Sequence, residues 1–189
     1  LPRAGFAAPA GSVRLAMTRS HGIRKIPVAI GDRAPILADL DLGHGGAFML
    51  AEPDWKAEPE LDGLPHARTR AGGVGGLSDK RYATLPSVTV AGQKFERVPA
   101  LLNEIATDLP TAGANIGIDL LQRFRLAIDF TGDALYLTPV ARALAQPLPK
   151  DRLGMRFELA GDRLKIVYVS PDGPAAKAGW KAGDLVTAI

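Results

Sequence analysis

The side chains best suited to chemistry lie at the end of one apolar segment. Residues 35–43 carry two carboxylates, Asp39 and Asp41, and continue into a loop, His44-Gly45-Gly46, that has few side-chain atoms. A carboxylate is costly to bury alone, so one at the end of an apolar strand is exposed at a cleft, paired or functional. Two carboxylates held a few Å apart share one proton and can activate water. Asp41 is therefore a candidate for acid–base chemistry, and the alternative that it only caps a turn stays open.

Two residues near Asp41, Asp39 and His44, could also take part in chemistry. Asp39 precedes it by two residues, so both would face the same side of a regular strand and their like charges would interact. We expect instead that Asp39 is a solvated aspartate at a strand edge. His44 could carry protons near neutral pH, but we expect a lone loop histidine to be exposed.

A second notable stretch is rich in glycine. A phosphate-binding loop is disfavoured because no Lys-Ser/Thr pair follows and the glycine spacing does not fit. Glycines also permit the tight turns and the mobility that a lid over a cleft requires. We predict a flap hairpin here, with an ordinary flexible loop as the alternative, formed by Gly72, Gly73, Val74, Gly75 and Gly76.

Composition limits the remaining classes of function. The chain has 189 residues, a formal charge of +3 and no cysteine, which excludes disulfides, thiolate metal sites and cysteine nucleophiles. There is no cluster of basic residues typical of nucleic-acid binding and no apolar stretch of about 20 residues that would span a membrane. The sequence suggests no cofactor and no metal site.

The elements that must position these residues are mostly strands. With 21 Gly and 15 Pro the chain favours short strands and turns. The alternating runs 84–90 and 95–102 predict a hairpin, and residues 115–124 predict a short helix. We therefore predict an all-β domain over residues 12–140, after an arm or linker at 1–11. A linker at 141–150 precedes a shorter unit at 151–189.

Several of these segments together resemble the retropepsin-like aspartic protease domain of bacterial proteins. They are the run 35–50, the glycine-rich 72–76, the segment 115–124 and the strands 126–137. The resemblance implies a closed β-barrel with one short helix. It also implies that Asp41 is catalytic in an active-site loop with Leu42, Gly43, His44 and Gly45, and that 72–76 is the flap. A polypeptide substrate is implied, with a second aspartate from a homodimer partner or from a tandem sister domain upstream.

Two residues depart from that family pattern. Leu42 stands where the family has Thr or Ser, and Gly45 stands where it often has Ser or Thr. Hydroxyls at these positions brace the catalytic carboxylates, and each net hydrogen bond contributes about 1 kcal/mol. The function predicted first is an aspartic endopeptidase. The alternative is a catalytically inactive protease-like domain that acts as a dimerisation or peptide-binding module.

The end of the chain resembles the first half of a PDZ domain. The similarity rests on Leu153-Gly154-Met155 and on the segment 170–184. By this resemblance Leu153, Gly154 and Met155 form the loop that captures a peptide carboxylate while the peptide adds a strand to the sheet. The helix that forms the other wall is expected after Ile189, so we do not expect this fragment to bind peptides alone. A periplasmic or secreted location is favoured over a cytoplasmic one.

Overall fold

The computed structural model describes residues 7–73, 76–104 and 113–187, and these are mainly β-strand. The strands are β1 (Val13–Ala16), β2 (Thr18–Ser20), β3 (Ile23–Ile30), β4 (Ile36–Leu40), β5 (Phe48–Leu50), β6 (His66–Gly73), β7 (Gly76–Val90), β8 (Gln93–Asn103), β9 (Ala114–Ile116), β10 (Phe124–Asp129), β11 (Ala134–Pro139), β12 (Met155–Ala160), β13 (Arg163–Val169) and β14 (Leu185–Val186). The helices are α1 (Glu52–Lys56), α2 (Pro59–Asp62), α3 (Ile118–Leu121), α4 (Ala141–Leu144) and α5 (Pro174–Lys177). The prediction of an all-β chain is confirmed.

Most strands of the first domain form a closed barrel. Its strand order is β3-β4-β9-β5-β8-β7, and β7 pairs back onto β3 through Ala29 with Thr89 and Ile30 with Val88. β2 and β6 extend this sheet at β3 and β7, and β1, β10 and β11 form a separate three-stranded sheet. Closure leaves the ring itself without a free edge, as the sequence predicted for this domain.

The interior of the barrel holds the hydrophobic core. From Ile26 to Ile30 in β3, side chains alternate in exposure as a pleated strand with one buried face requires. Burying an aliphatic or aromatic side chain fully contributes about 1.5–3 kcal/mol to stability. The largest fully buried side chains of this domain are Ile26, Phe48, Leu50, Trp55, Leu85, Leu102, Ile116, Leu120, Leu121, Leu135 and Leu137.

The hairpin between β7 and β8 is closed by a two-residue loop. Ala91 and Gly92 both have positive φ, +50° and +76°, and Val90 pairs with Gln93. Positive φ at both loop positions is the backbone of the turns that match strand twist. The predicted hairpin at this point is confirmed.

The barrel domain has three short helices within its described residues, α1, α2 and α3, where one was predicted. Five short helices lie within the described residues, and none of them is long and apolar enough to cross a membrane. α1 and α2 each carry Pro in the first turn, where its missing N–H costs nothing, and each buries one side chain, Trp55 or Leu61. The expected helix at 115–124 is only α3, because the residues on either side of it pair into β9 and β10.

Arg123 fastens the segment that follows the barrel. Its side chain is buried, and its guanidinium donates to Asp119 O at 3.0 Å, to Gln146 O and Pro147 O at 3.1 Å each, and to Ala143 O. The carbonyl groups at and after the end of α4 therefore accept hydrogen bonds from Arg123 that the helix backbone itself cannot supply. The first part of the predicted linker is held against the barrel domain by these contacts.

The C-terminal unit is a small sheet with strand order β12-β13-β14. Gly154 has φ +69°, and its carbonyl accepts a hydrogen bond from Ser170 N at 2.7 Å. A Cβ on Gly154 would lie 3.0 Å from the Ser170 Cβ, so the loop before β12 needs glycine for both conformation and space. The resemblance of this unit to a PDZ domain stays a prediction.

Replacing Arg123 with Met should lower the free energy of unfolding by about 2–3 kcal/mol, because several hydrogen bonds from a buried charged donor are lost together. Urea unfolding of the full chain measures this. Arg125→Met, at an exposed position of β10, is the matched control and should change stability by less than about 0.5 kcal/mol. Equal effects of the two substitutions would contradict the anchoring role.

Candidate active site

Asp41 lies directly after β4, in a turn that folds its carboxylate back onto the backbone. Its Oδ1 accepts hydrogen bonds from Gly43 N and His44 N, each at 3.0 Å. Its own N–H donates to Ile116 O at 3.2 Å, which joins the turn to the end of β9. Hydrogen bonds of both the side chain and the backbone N–H therefore hold Asp41 in place.

The turn alone does not single out Asp41. Asp129 accepts from Thr131 N and Gly132 N at 3.0 and 2.9 Å, and Asp151 accepts from Leu153 N and Gly154 N at 3.0 and 2.8 Å. Aspartates commonly bond the backbone two or three residues ahead in this way. The features that distinguish Asp41 are a third donor and the cleft beside it.

The third donor is Asn115. Its Nδ2 lies 3.0 Å from Asp41 Oδ2, so both carboxylate oxygens are engaged. β4 and β9 run parallel with Asp39 opposite Asn115, which brings the asparagine beside the residue after β4. The sequence analysis assigned Asn115 only to a helix start. The available signal was a polar residue between two apolar ones, Ala114 and Ile116, both of which are buried.

The loop after Asp41 is docked on the start of α3. Gly117 N donates to Ala47 O and Ile118 N donates to His44 O, each at 2.9 Å. A Cβ at Gly117 would lie 2.2 Å from Gly46 O and 2.7 Å from His44 O, both of them backbone atoms. Glycine is required at 117 because the two chain segments approach so closely.

His44 is half-buried, which corrects the expectation of an exposed loop histidine. Its ring lies against Gly46 and Gly117, and its Nε2 is buried without a hydrogen-bond partner among the described residues. Burial lowers the pKa of His44 below its ordinary value, and the nearby carboxylates of Asp41 and Asp119 oppose this shift. The neutral imidazole is therefore the form that the folded loop favours.

Asp39 is buried rather than solvated, which corrects the second expectation. Lys25 Nζ lies 2.6 Å from Asp39 Oδ1, and the two side chains are 9% and 8% exposed. The residues face each other across β3 and β4. Lys25 and Asp39 form an ion pair, but the angles at Asp39 Oδ1 are not those of a hydrogen bond. Asp39 thus belongs to a structural pair and is separate from the Asp41 cradle.

Asp41 opens onto a cleft of about 990 Å³. The predicted loop residues Gly43, His44 and Gly45 line it, and so does Gly72 from β6. Leu42 is not among the lining residues, and its side chain is 53% exposed.

The flap prediction falls on the hairpin of β6 and β7. Gly73 pairs with Gly76 at its end, while Val74 and Gly75 lie outside the described residues. Arg70, Ser78 and Lys80 from the same two strands line the cleft. The hairpin therefore borders the cleft, and the lid role of its tip stays a prediction.

Partly buried polar groups give the cleft its electrostatic character. Burial raises the pKa of Asp119, with Arg123 and His44 opposing the shift, and burial lowers the pKa of Lys80. Lys80 Nζ donates to Asn103 Oδ1, a neutral acceptor. In the described part of the chain no group of three or more His, Cys, Asp or Glu side chains is arranged to hold a metal ion.

Similarity to known proteins is found among solved structures. No protein-family model and no curated protein sequence matches the chain. Among solved structures, the chain is similar to a retropepsin-like aspartic protease from Rickettsia conorii, with 25% sequence identity. The similarity covers 71% of this chain and 96% of that one, with a TM-score of 0.49.

Replacing Gly117 with Ala should lower the free energy of unfolding by about 1–3 kcal/mol, because the new methyl group must displace backbone of the Asp41 loop. Gly45→Ala is the control in the same loop, since a Cβ there meets no atom within 4 Å and φ lies outside the strained range. Chemical denaturation compares the two. A neutral Gly117→Ala would show that the loop is not held as described.

His44 should make stability depend on pH. A folded-state pKa below the unfolded value means that the stabilisation is full above about pH 6.5 and declines as the pH falls below that value. Between pH 7 and pH 5 the wild-type protein should lose more unfolding free energy than His44→Gln, by up to about 1.4 kcal/mol per pH unit. His66→Gln, at an exposed position, should behave like the wild type. Parallel curves for all three proteins would contradict this assignment.

Proposed function

We propose that this chain is an aspartic endopeptidase domain of the retropepsin-like kind, with Asp41 as one half of its water-activating pair. The observation that carries the proposal is the three-donor cradle of Asp41, formed by Gly43 N, His44 N and Asn115 Nδ2, at a cleft bordered by the β6–β7 hairpin. A polypeptide in extended form is the substrate that a cleft between a loop and a hairpin would accept. The closed barrel supports the same reading.

The chemistry requires two carboxyl groups that share one proton. The ionised carboxylate takes a proton from water while the water oxygen attacks the peptide carbonyl carbon. The protonated carboxyl donates to the carbonyl oxygen, and the resulting tetrahedral species collapses when the amine leaves with a proton. In this chain the cradle would hold Asp41 in one orientation through these steps, so that little reorganisation is needed.

The second carboxylate is proposed to come from another copy of this chain or from a sister domain. In the described part of the chain, Asp119 and Glu158 are the other carboxylates that line the cleft, and neither is hydrogen-bonded to Asp41. The exposed Leu42 beside Asp41 supports an apolar contact with a partner where the family has a hydroxyl. A twofold arrangement would bring the same residue from each copy to the axis.

A second candidate function is a module that binds polypeptides without cleaving them. One observation favours it: Leu42 has no hydroxyl to brace a partner. Such a module would use the same cleft and would not need the second carboxylate.

Asp41→Asn should abolish cleavage of an unfolded polypeptide at mildly acidic pH, with a loss of about 100-fold or more. The matched control is Asp129→Asn, which alters the same kind of turn away from the cleft and should retain activity. Hydrolysis rates from mass spectrometry of the products give the comparison, and specific activity should rise with protein concentration if a second copy supplies the other carboxylate.

The outcomes separate the two candidates. Equal cleavage by wild type and Asp41→Asn would refute Asp41 as a catalytic residue. Absence of cleavage by the wild type, together with saturable binding of the polypeptide, would favour the binding module instead.

A further inference from the structure

The cleft beside Asp41 is not built by the barrel alone. Arg156, Phe157 and Glu158 of β12 and Val167 and Tyr168 of β13 line it as well. The two units are joined here by a hydrogen bond from Asp151 N to Tyr82 Oη at 3.0 Å. The C-terminal sheet thus supplies an outer wall that faces the hairpin and the Asp41 loop.

A bulge in β13 explains how two consecutive residues of that strand, Val167 and Tyr168, both reach the cleft, because Val167 is the extra residue between the pairs Arg156–Tyr168 and Phe157–Ile166. Neighbouring side chains of a regular strand point to opposite faces. The pairing of β12 with β13 shifts its register between Arg156 and Phe157. Such bulges re-aim side chains and are common beside functional sites. β12 also pairs with β13 alone in the described part of the chain, so its other edge is open.

The charges on the two walls are unequally compensated. On the hairpin, Arg70 is paired with Asp79 at 2.8 Å, whereas Lys80 bonds only the neutral Asn103 amide within the described residues. On β12, Glu158 lies 3.9 Å from Lys165, whereas Arg156 has no carboxylate within 4.0 Å among the described residues. In the part of the chain that the structure describes, two cations on opposite walls therefore lack a carboxylate partner.

These two cations belong to one electrostatic environment. Burial lowers the pKa of His44 in the active-site loop, and the charge of Lys80 lowers it further. Burial raises the pKa of Tyr82, which lines the cleft on β7, and the charge of Arg156 opposes that shift. Tyr82 lies two residues from Lys80 on the same strand, so both side chains face the same side of the sheet. An anion between the walls would meet a cation from each.

We propose that Lys80 and Arg156 together select polypeptide segments that carry acidic side chains, and that the C-terminal sheet is thereby part of the specificity site. The cleavage of such segments rests on the proposed function, but their binding does not. Complementary charge at a partly exposed cleft mainly sets selectivity and the rate of association. The contribution is screened as ionic strength rises.

The test uses the full chain carrying Asp41→Asn, so that bound polypeptide is not cleaved. The probes are two fluorescein-labelled, unstructured peptides that differ only in carrying Glu or Gln at the same positions. Fluorescence anisotropy at low salt should show tighter binding of the Glu peptide. Arg156→Ala should weaken that binding by about 3- to 10-fold and leave the Gln peptide unaffected, and Arg156→Glu should weaken it further.

Two control variants isolate the position from general charge. Arg163→Ala removes a cation from the same hairpin at a position that does not line the cleft and should leave both affinities unchanged. Lys80→Ala should act in the same direction as Arg156→Ala, and circular dichroism of each variant confirms that it is folded. Equal binding of the two peptides, or equal losses from Arg156→Ala and Arg163→Ala, would overturn the proposal.

Failure of this inference and failure of the proposed function give different results. If the wild type cleaves polypeptides but Arg156→Ala changes neither KM nor the preference for acidic segments, only the charge selection is wrong. If no cleavage occurs while the Glu peptide still binds in an Arg156-dependent manner, only the proposed catalysis is wrong.

Discussion

The structure depends on the contact between the Asp41 loop and the start of α3. Two backbone segments meet at Gly117 so closely that no side chain fits between them, and hydrogen bonds in both directions hold them there. This contact joins the ends of β4 and β9, which are parallel neighbours in the barrel. The carboxylate of Asp41, the Asn115 amide and the ring of His44 all take their positions from it.

Asp39 and Asp41 have different environments because β4 ends between them. Asp39 is still within β4, where strand pairing sets it opposite Lys25 and buries both charges. An isolated buried charge would be strongly destabilising, so the pair is needed to keep this part of the sheet intact. Asp41 comes after the strand ends, where the chain is free to turn and its carboxylate reaches backbone donors.

The strands and the position of Asp41 at the end of β4 could be predicted because they follow from local pattern, whereas the closed barrel was implied by the resemblance to a family. Alternating apolar residues mark strands such as β8, and the pair Ala91-Gly92 marks a tight hairpin. Asn115 as a donor and Lys25 as the partner of Asp39 were missed because each pairing is set by the register between two strands. His44 was predicted to be exposed because its burial depends on a loop folding over α3, which no local pattern indicates.

The anchoring of the chain by Arg123 has a consequence for how the cleft is assembled. Arg123 holds the backbone at Pro147, and the Asp151–Tyr82 hydrogen bond fixes it again four residues later. The outer wall is thus tethered by a very short span, and a tethered group meets its target at an effective concentration in the millimolar range, whatever the protein concentration. Dilution would leave this wall in place, whereas any component supplied by a separate molecule would be lost.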